Sequence, residues 1–303
     1  MNGTTMPLRD IALALVVILV WGFNFVAIKW GLHGVPPLLL CALRFLATVF
    51  PAIFFVKRPR VPARDIVLYG LSWAVVQFGF LFSAIQVGMP AGLASVVLQI
   101  QAFFTLLFAA GMLGERWQST QLAGLLVAIG GLWLIGSAHG QTMPLPGFLM
   151  TLAAAVGWAF SNVVVRRMTQ RVPSVDMLAF VVWASLVPLA VFAPLSLVVE
   201  GPARVLPALQ GLDLTSVLCV LYLAYAATIV GYGLWTWLLK RYPANSVAPF
   251  SLLVPWVGLL CAALLLDEHL LAQQWAGSLL LMSGLVLNVF GGRLLARLRA
   301  RVA

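Results

Sequence analysis

Arg44 and Lys29 are the two basic residues that fall inside long apolar runs of this chain, and no Asp or Glu falls in the middle of one. A charge in hydrocarbon costs about 2.5–3.5 kcal/mol by insertion scales, so such a residue marks a site or a fixed partner. Arg44 lies about seven residues, or ~10 Å, into its run. Its guanidinium presents a fork of donors that fits a carboxylate, and the competing use is a tie to carbonyls of a neighbouring helix. Lys29 lies near a run's end, where its stem can carry the ammonium to the interface. At 100° per residue Asn24 and Lys29 lie about 60° and 80° to either side of Trp21, on one broad face. Asn24 there can bond a substrate or join two helices, and Asn162 reads as the second kind.

Gln77 sits mid-way along a third run, and Ser95 and Gln99 are one helical turn apart in a fourth. Gln101 points about 200° from Gln99, so an unbroken helix turns only one of the two inward. Trp21, Trp158, Tyr232 and Trp235 lie away from the outer ends of their runs. Their ring faces can hold an ammonium, with packing as the competing role. Pro249 and Pro255 free backbone carbonyls in a ninth run and permit a break there, tolerated where backbone lines a cavity. The candidate substrate-binding residues are therefore Trp21, Asn24, Lys29, Arg44, Gln77, Ser95, Gln99, Trp158, Tyr232, Trp235 and Pro255.

The same inventory argues against catalysis. An intramembrane enzyme needs a nucleophile with its base, or a metal cluster such as HExxH or paired aspartates, and the runs carry neither. His33, His139 and His269 lie in connections. Cys41, Cys219 and Cys261 lie within runs, an odd number that reads as packing thiols rather than a disulfide framework or a metal site. No cofactor and no metal are expected. A carboxylate proton relay has no candidate, which leaves the coupling ion unassigned and facilitated efflux or exchange open.

These residues have to be positioned by membrane helices. The 303 residues are 63% hydrophobic and 9% charged, against roughly a quarter charged in soluble domains. Apolar runs of about 20 residues match a ~30 Å hydrocarbon core. Ten spans are predicted at about 10–31, 37–56, 66–87, 90–112, 119–137, 147–165, 176–198, 214–239, 244–266 and 272–291. The first is followed by nine more and reads as a retained span rather than a signal peptide. The net charge of +10 is clustered between spans, so it reads as a topology signal in a lipid bilayer and not as a nucleic-acid surface. Of the 18 Lys and Arg residues, 15 fall on one side, Arg204 alone falls on the other, and Lys29 and Arg44 lie within spans. This bias predicts both termini in the cytoplasm.

The stretch 89–135 returns, diverged and without a gap, at 242–288: Pro90 matches Pro243, Ala91 matches Ala244, Glu115 matches Glu268, Gly124 matches Gly277 and Gly131 matches Gly284. A second echo pairs Trp21 and Lys29 with Trp158 and Arg166. Five spans per half is an odd number, so the halves enter the membrane in opposite senses, the inverted repeat on which secondary transporters are built. The expected organisation is a first five-helix repeat at 1–141, a second at 142–292 and a basic tail at 293–303. Glu115 and Glu268 read as caps of the helices that follow them, or as partners of Arg116 and His269.

The strings VWGFNFVAIKWGLHGVPPLLL, LRF at 43–45, PAIFFVKRPRVP, GMPAGLASVVLQIQAFFT, GERW, YLAYAATIVGYG, and SLLVP followed by ALLLDE resemble the EamA-type exporters of the drug/metabolite transporter superfamily. The likeness is greatest to bacterial O-acetylserine/cysteine exporters and runs from about residue 10 to 292. Trp-Gly-x-Asn-Phe and Gly-Glu are superfamily-wide, whereas GMPAGLASVVLQ and PAIFFVKRPRVP are more specific. Asp267-Glu268 departs from the Gly-Glu of many relatives, and His269 stands where a fixed basic residue is common. The resemblance implies a bacterial inner-membrane exporter of small amino-acid metabolites such as cysteine or O-acetylserine. Efflux of other small or toxic compounds is the alternative; a cationic drug would call for an acidic cavity residue, which the spans lack.

Overall fold

The computed structural model describes residues 6–138 and 142–302, with their side chains except at 244, 245 and 293–302. His139 and the side chains of the tail arginines Arg293, Arg297, Arg299 and Arg301 lie outside the described part. Among the described residues, ten helices are long and apolar enough to span a bilayer: α1 Leu8–Gly31, α2 Pro37–Phe54, α3 Ala63–Gln86, α4 Ala91–Leu113, α5 Ser119–Ser137, α6 Leu145–Arg171, α7 Met177–Val199, α8 Leu214–Arg241, α9 Ala248–Leu265 and α10 Ala272–Gly292. A short helix, Pro202–Gln210, joins α7 to α8, and α10 continues in helix to Val302, so the basic tail extends the last span. No strand occurs among the described residues.

Several helices start on prolines, whose fixed φ and missing N–H suit the first turn. Two such starts have no cap of their own and take one from a distant carboxylate. Glu200 accepts from the N–H groups of Leu38 (2.7 Å) and Leu39 (3.1 Å) at the head of α2. Glu268 accepts from Ala91 (2.8 Å) and Gly92 (2.9 Å) at the head of α4. Burial raises the Glu200 pKa, and the two backbone bonds offset part of that rise. Asp176 and Asp213 cap α7 and α8 locally. Glu115 instead pairs with Arg166 of α6 at 2.8 Å, and His269 lies 3.2 Å from Asp267. Glu115 and Glu268 thus take partners from elements that meet them only in three dimensions, Asp267 takes the neighbouring His269, and neither glutamate caps the helix that follows.

The packing is exchanged with itself when the five helices of one half are swapped for those of the other. α1 lies against α8 and α9, as α6 lies against α3 and α4; α2 pairs with α7, α4 with α9 and α5 with α10. The irregular segments repeat too. π-helical turns widen α3 at Gly70–Val76 and α8 at Tyr222–Val230, and 3-10 turns tighten α4 at Leu98–Ile100 and α9 at Ala248–Leu253. The repeated glycines meet each other across the antiparallel α5–α10 contact. A Cβ on Gly131 would lie 2.5 Å from the Gly277 carbonyl, and one on Gly124 would lie 2.6 Å from that of Gly284. Such close backbone approach is how membrane helices gain van der Waals contact without a hydrophobic driving force.

Candidate functional site

The helices enclose a cavity of about 330 Å³ lined from both halves. Its most charged group is Arg44 of α2, 2% exposed. Arg44 Nη2 donates to Thr228 Oγ1 at 3.1 Å, and the guanidinium carbon stands 3.9 Å from the Phe78 ring centroid, 5.4 Å from Phe45 and 5.9 Å from Phe82. The rings supply the negative faces that make a buried cation tolerable. Thr228 sits in the π-helical turn of α8, where its hydroxyl reaches back five residues to the Leu223 carbonyl. Arg44 Nε and Nη1 have no hydrogen-bond partner among the described residues, and none of the described residues lining the cavity is acidic.

Asn24 and Gln77, 8% and 4% exposed, line the same cavity from α1 and α3, with Asn24 Oδ1 and Gln77 Oε1 also unpartnered. Gln99 lines the cavity, partly exposed. Ser95 lines it as well but spends its hydroxyl on a tie, donating to Gly92 O (2.6 Å) and Pro255 O (3.3 Å). Trp21 donates to the Ala227 carbonyl at 3.0 Å, and its ring centroid lies 5.4 Å from Tyr232 and 5.3 Å from Trp235. Tyr232 is fixed in turn by Trp73, whose Nε1 donates to its hydroxyl at 2.8 Å. Trp158 of α6 adds another ring to the wall.

Two expected residues lie elsewhere. Lys29 borders a separate depression with Trp30, His33, Asp267 and Glu268, because the last turn of α1 carries it past the cavity to the helix end. Pro255 is buried between α4 and α9, where its carbonyl serves Ser95. The break expected at the α9 prolines is the 3-10 segment Ala248–Leu253, and it brings Ser251 and Val254 to the wall.

Gln99 and Gln101 both line the cavity, against the expectation from a regular helix. The 3-10 turn at Leu98–Ile100 changes the angular step between them. Asn162 donates to Gln101 Oε1 (2.8 Å) and Thr105 Oγ1 (3.2 Å), so the α4–α6 tie read for it also forms part of the wall. Phe78 and Thr228, which hold Arg44, were not distinguishable among the many apolar and hydroxyl residues of the spans. No group of metal-ligating side chains occurs among the described residues.

A polar, aromatic cavity at the centre of ten spanning helices defines a membrane transporter, and the chain belongs to the EamA-like transporter family, whose model matches residues 8–137 and again 145–290. The probable amino-acid metabolite efflux pump of Escherichia coli is 49% identical over 290 residues, with 95% of this chain and 97% of that protein covered. An uncharacterized inner membrane transporter of the same species is 25% identical over 296 residues, covering 94% and 92% of the two chains. A solved crystal structure shares the fold at 21% identity with a TM-score of 0.64, over 92% of this chain and 95% of the other. The protein is a multi-pass inner-membrane transporter and not an enzyme.

Proposed function

We propose that this protein exports small amino-acid metabolites, with cysteine and O-acetylserine as the first candidates, across the inner membrane by alternating access. The observation that carries the reading is Arg44: a buried cation without a carboxylate partner among the described residues, with two guanidinium nitrogens, Nε and Nη1, unpartnered in a cavity of metabolite size. A guanidinium so placed is completed by an anion, and a carboxylate fits its fork in a bidentate way. Trp21, Trp158, Tyr232 and Trp235 form the aromatic wall of the site, and Asn24, Gln77 and Gln99 its neutral polar groups. Efflux of cationic compounds is opposed by the sign of the charge that Arg44 brings to the lining.

The swap-symmetric packing and the duplicated π and 3-10 turns favour an inverted repeat with the site between its halves. The distribution of Lys and Arg favours both termini in the cytoplasm, which puts Glu115 on the cytoplasmic side and Glu268 on the outer side. The efflux pump from Escherichia coli supports amino-acid metabolites as the cargo.

Counterflow in proteoliposomes tests the reading. Labelled cysteine, kept reduced, and O-acetylserine are expected to show saturable flux with the wild-type protein. Arg44→Gln is expected to lower that flux at least tenfold, the loss of a hydrogen-bonded charge being worth about 1.5–3 kcal/mol, with membrane insertion unchanged. No saturable flux of either compound removes the substrate assignment. Undiminished flux in Arg44→Gln returns Arg44 to a structural role.

A further inference from the structure

Three side chains on the wall built by α1, α2 and α3 are more than nine-tenths buried and leave hydrogen-bonding atoms unused: Asn24 Oδ1, Gln77 Oε1, and Arg44 Nε and Nη1. Buried polar atoms without partners are costly, and a charged one most of all. The unused set is of mixed character, two cationic donors and two neutral amides. Of the other polar groups on the wall, Ser95 is engaged with Gly92 and Pro255 and Gln101 with Asn162, while Gln99 is partly exposed and can be served by solvent. The amides of Asn24 and Gln77 bond no other described residue, so either end can turn to an occupant, oxygen and nitrogen exchanging by a simple flip.

We propose that this wall reads both charges of an α-amino acid zwitterion. Arg44 receives the carboxylate, and the carbonyl oxygens of Asn24 and Gln77 receive the α-ammonium, with the Trp21 and Tyr232 rings beside them. The proposal rests on the export reading and narrows it, because it makes a free α-amine a requirement. Neutral acceptors suit a site that must also empty. A carboxylate at either position would add a negative charge to the wall that Arg44 shares and compete with the cargo's own carboxylate for the guanidinium. Ordered water could satisfy the same atoms, but water confers no selectivity for an amine.

The test uses the full protein in proteoliposomes and asks which compounds inhibit cysteine counterflow. Serine derivatives with a free amine should compete with cysteine, whereas 3-mercaptopropanoate and N-acetylcysteine should be at least tenfold weaker, as expected for losing hydrogen bonds to a charged group. Asn24→Leu and Gln77→Met should raise the half-saturating cysteine concentration about tenfold and leave the weak inhibition by 3-mercaptopropanoate unchanged. Arg44→Gln should weaken both. Equal competition by the deaminated compound in the wild-type protein overturns the subsite without reference to any variant, as does a parallel loss of both ligands in Asn24→Leu and Gln77→Met. Absence of saturable flux for every amino acid overturns the export reading itself, a result separable from flux that ignores the amine.

Discussion

Glu115 and Glu268 occupy matching places in the two halves, yet they do different things. Glu268 spans from the end of α9 to the head of α4 and accepts from two backbone N–H groups there. Glu115 turns away to Arg166, an exposed pair whose side chains are 33% and 51% accessible. The surroundings differ in the same sense. On the Glu268 side α1, α4 and α9 are in backbone-close contact: Gly22 lies against Val257, a Cβ on Gly92 would lie 2.9 Å from that of Ala262, and one on Gly258 would lie 2.5 Å from Ser95 Oγ. Toward Glu115, the segment Gln101–Leu113 of α4 packs on α6, and the cavity wall continues through the partly exposed Gln101, Asn162, Trp235 and Ser251. The two ends thus differ: close helix packing seals the Glu268 end, while partly exposed residues line the wall toward the Glu115 end. The alternating access proposed above requires the two ends to exchange these arrangements.

Holding the sealed end shut should have the largest effect. In a background with Cys41, Cys219 and Cys261 replaced, Gly92→Cys with Ala262→Cys places two thiols on facing positions of α4 and α9. A Cβ on Gly92 would lie 2.9 Å from that of Ala262, about 0.9 Å under the ~3.8 Å mean between disulfide Cβ atoms, so α4 and α9 must part by about that much for the bond to form, and the reduced double variant is the control for that parting. Oxidation is expected to abolish counterflow of O-acetylserine, which carries no thiol to reduce the bond, and a reductant to restore it. Normal flux in the oxidised protein would mean that this end never opens, and the comparison between the ends would lose its meaning for transport.

Glu268→Gln comes next. It removes the charge from two hydrogen bonds that tie α9 to the head of α4. The loss is worth ~1–2 kcal/mol, or about tenfold in the ratio of sealed to open forms. A thiol introduced at Phe25, on the cavity wall at this end, should react with an impermeant maleimide about tenfold faster in that background. An unchanged rate would show that glycine packing alone seals the end, and would demote the carboxylate to a cap.

The ten spans were legible because their lengths and apolarity answer to the bilayer; the repeat expected from the way Pro90, Glu115, Gly124 and Gly131 keep step with their counterparts stays a proposal, which the swap-symmetric packing favours. Nine of the eleven expected site residues line the cavity, Lys29 and Pro255 being the two that do not. Arg44, Asn24 and Gln77 stood out because polar groups are costly in hydrocarbon. What lay beyond the sequence were departures from a regular helix. The 3-10 turn before Gln101 defeats a constant step of 100° per residue, and the π turn in α8 aims Thr228 at Arg44. Phe78 gains its role only by lying under the guanidinium, a pairing between α2 and α3 that no local spacing encodes. Glu268 could be read as a cap, but its partner is 177 residues away.

Glu115→Gln should have the smallest effect, and its smallness is informative. Its pair with Arg166 is solvent-exposed, so water screens the attraction and the net worth is under ~1 kcal/mol. In the present conformation, the substitution should leave thermal stability and the Phe25→Cys maleimide rate within error of the parent, in contrast to Glu268→Gln. If the halves do exchange states, however, Glu115 is the group positioned to take over the tie that Glu268 makes now. Its removal should then appear in turnover under counterflow, as a change of a few-fold at most, while stability stays flat. A Glu115→Gln protein that matches the parent in both readouts would show that of the two acidic turns only the one at Glu268 is used.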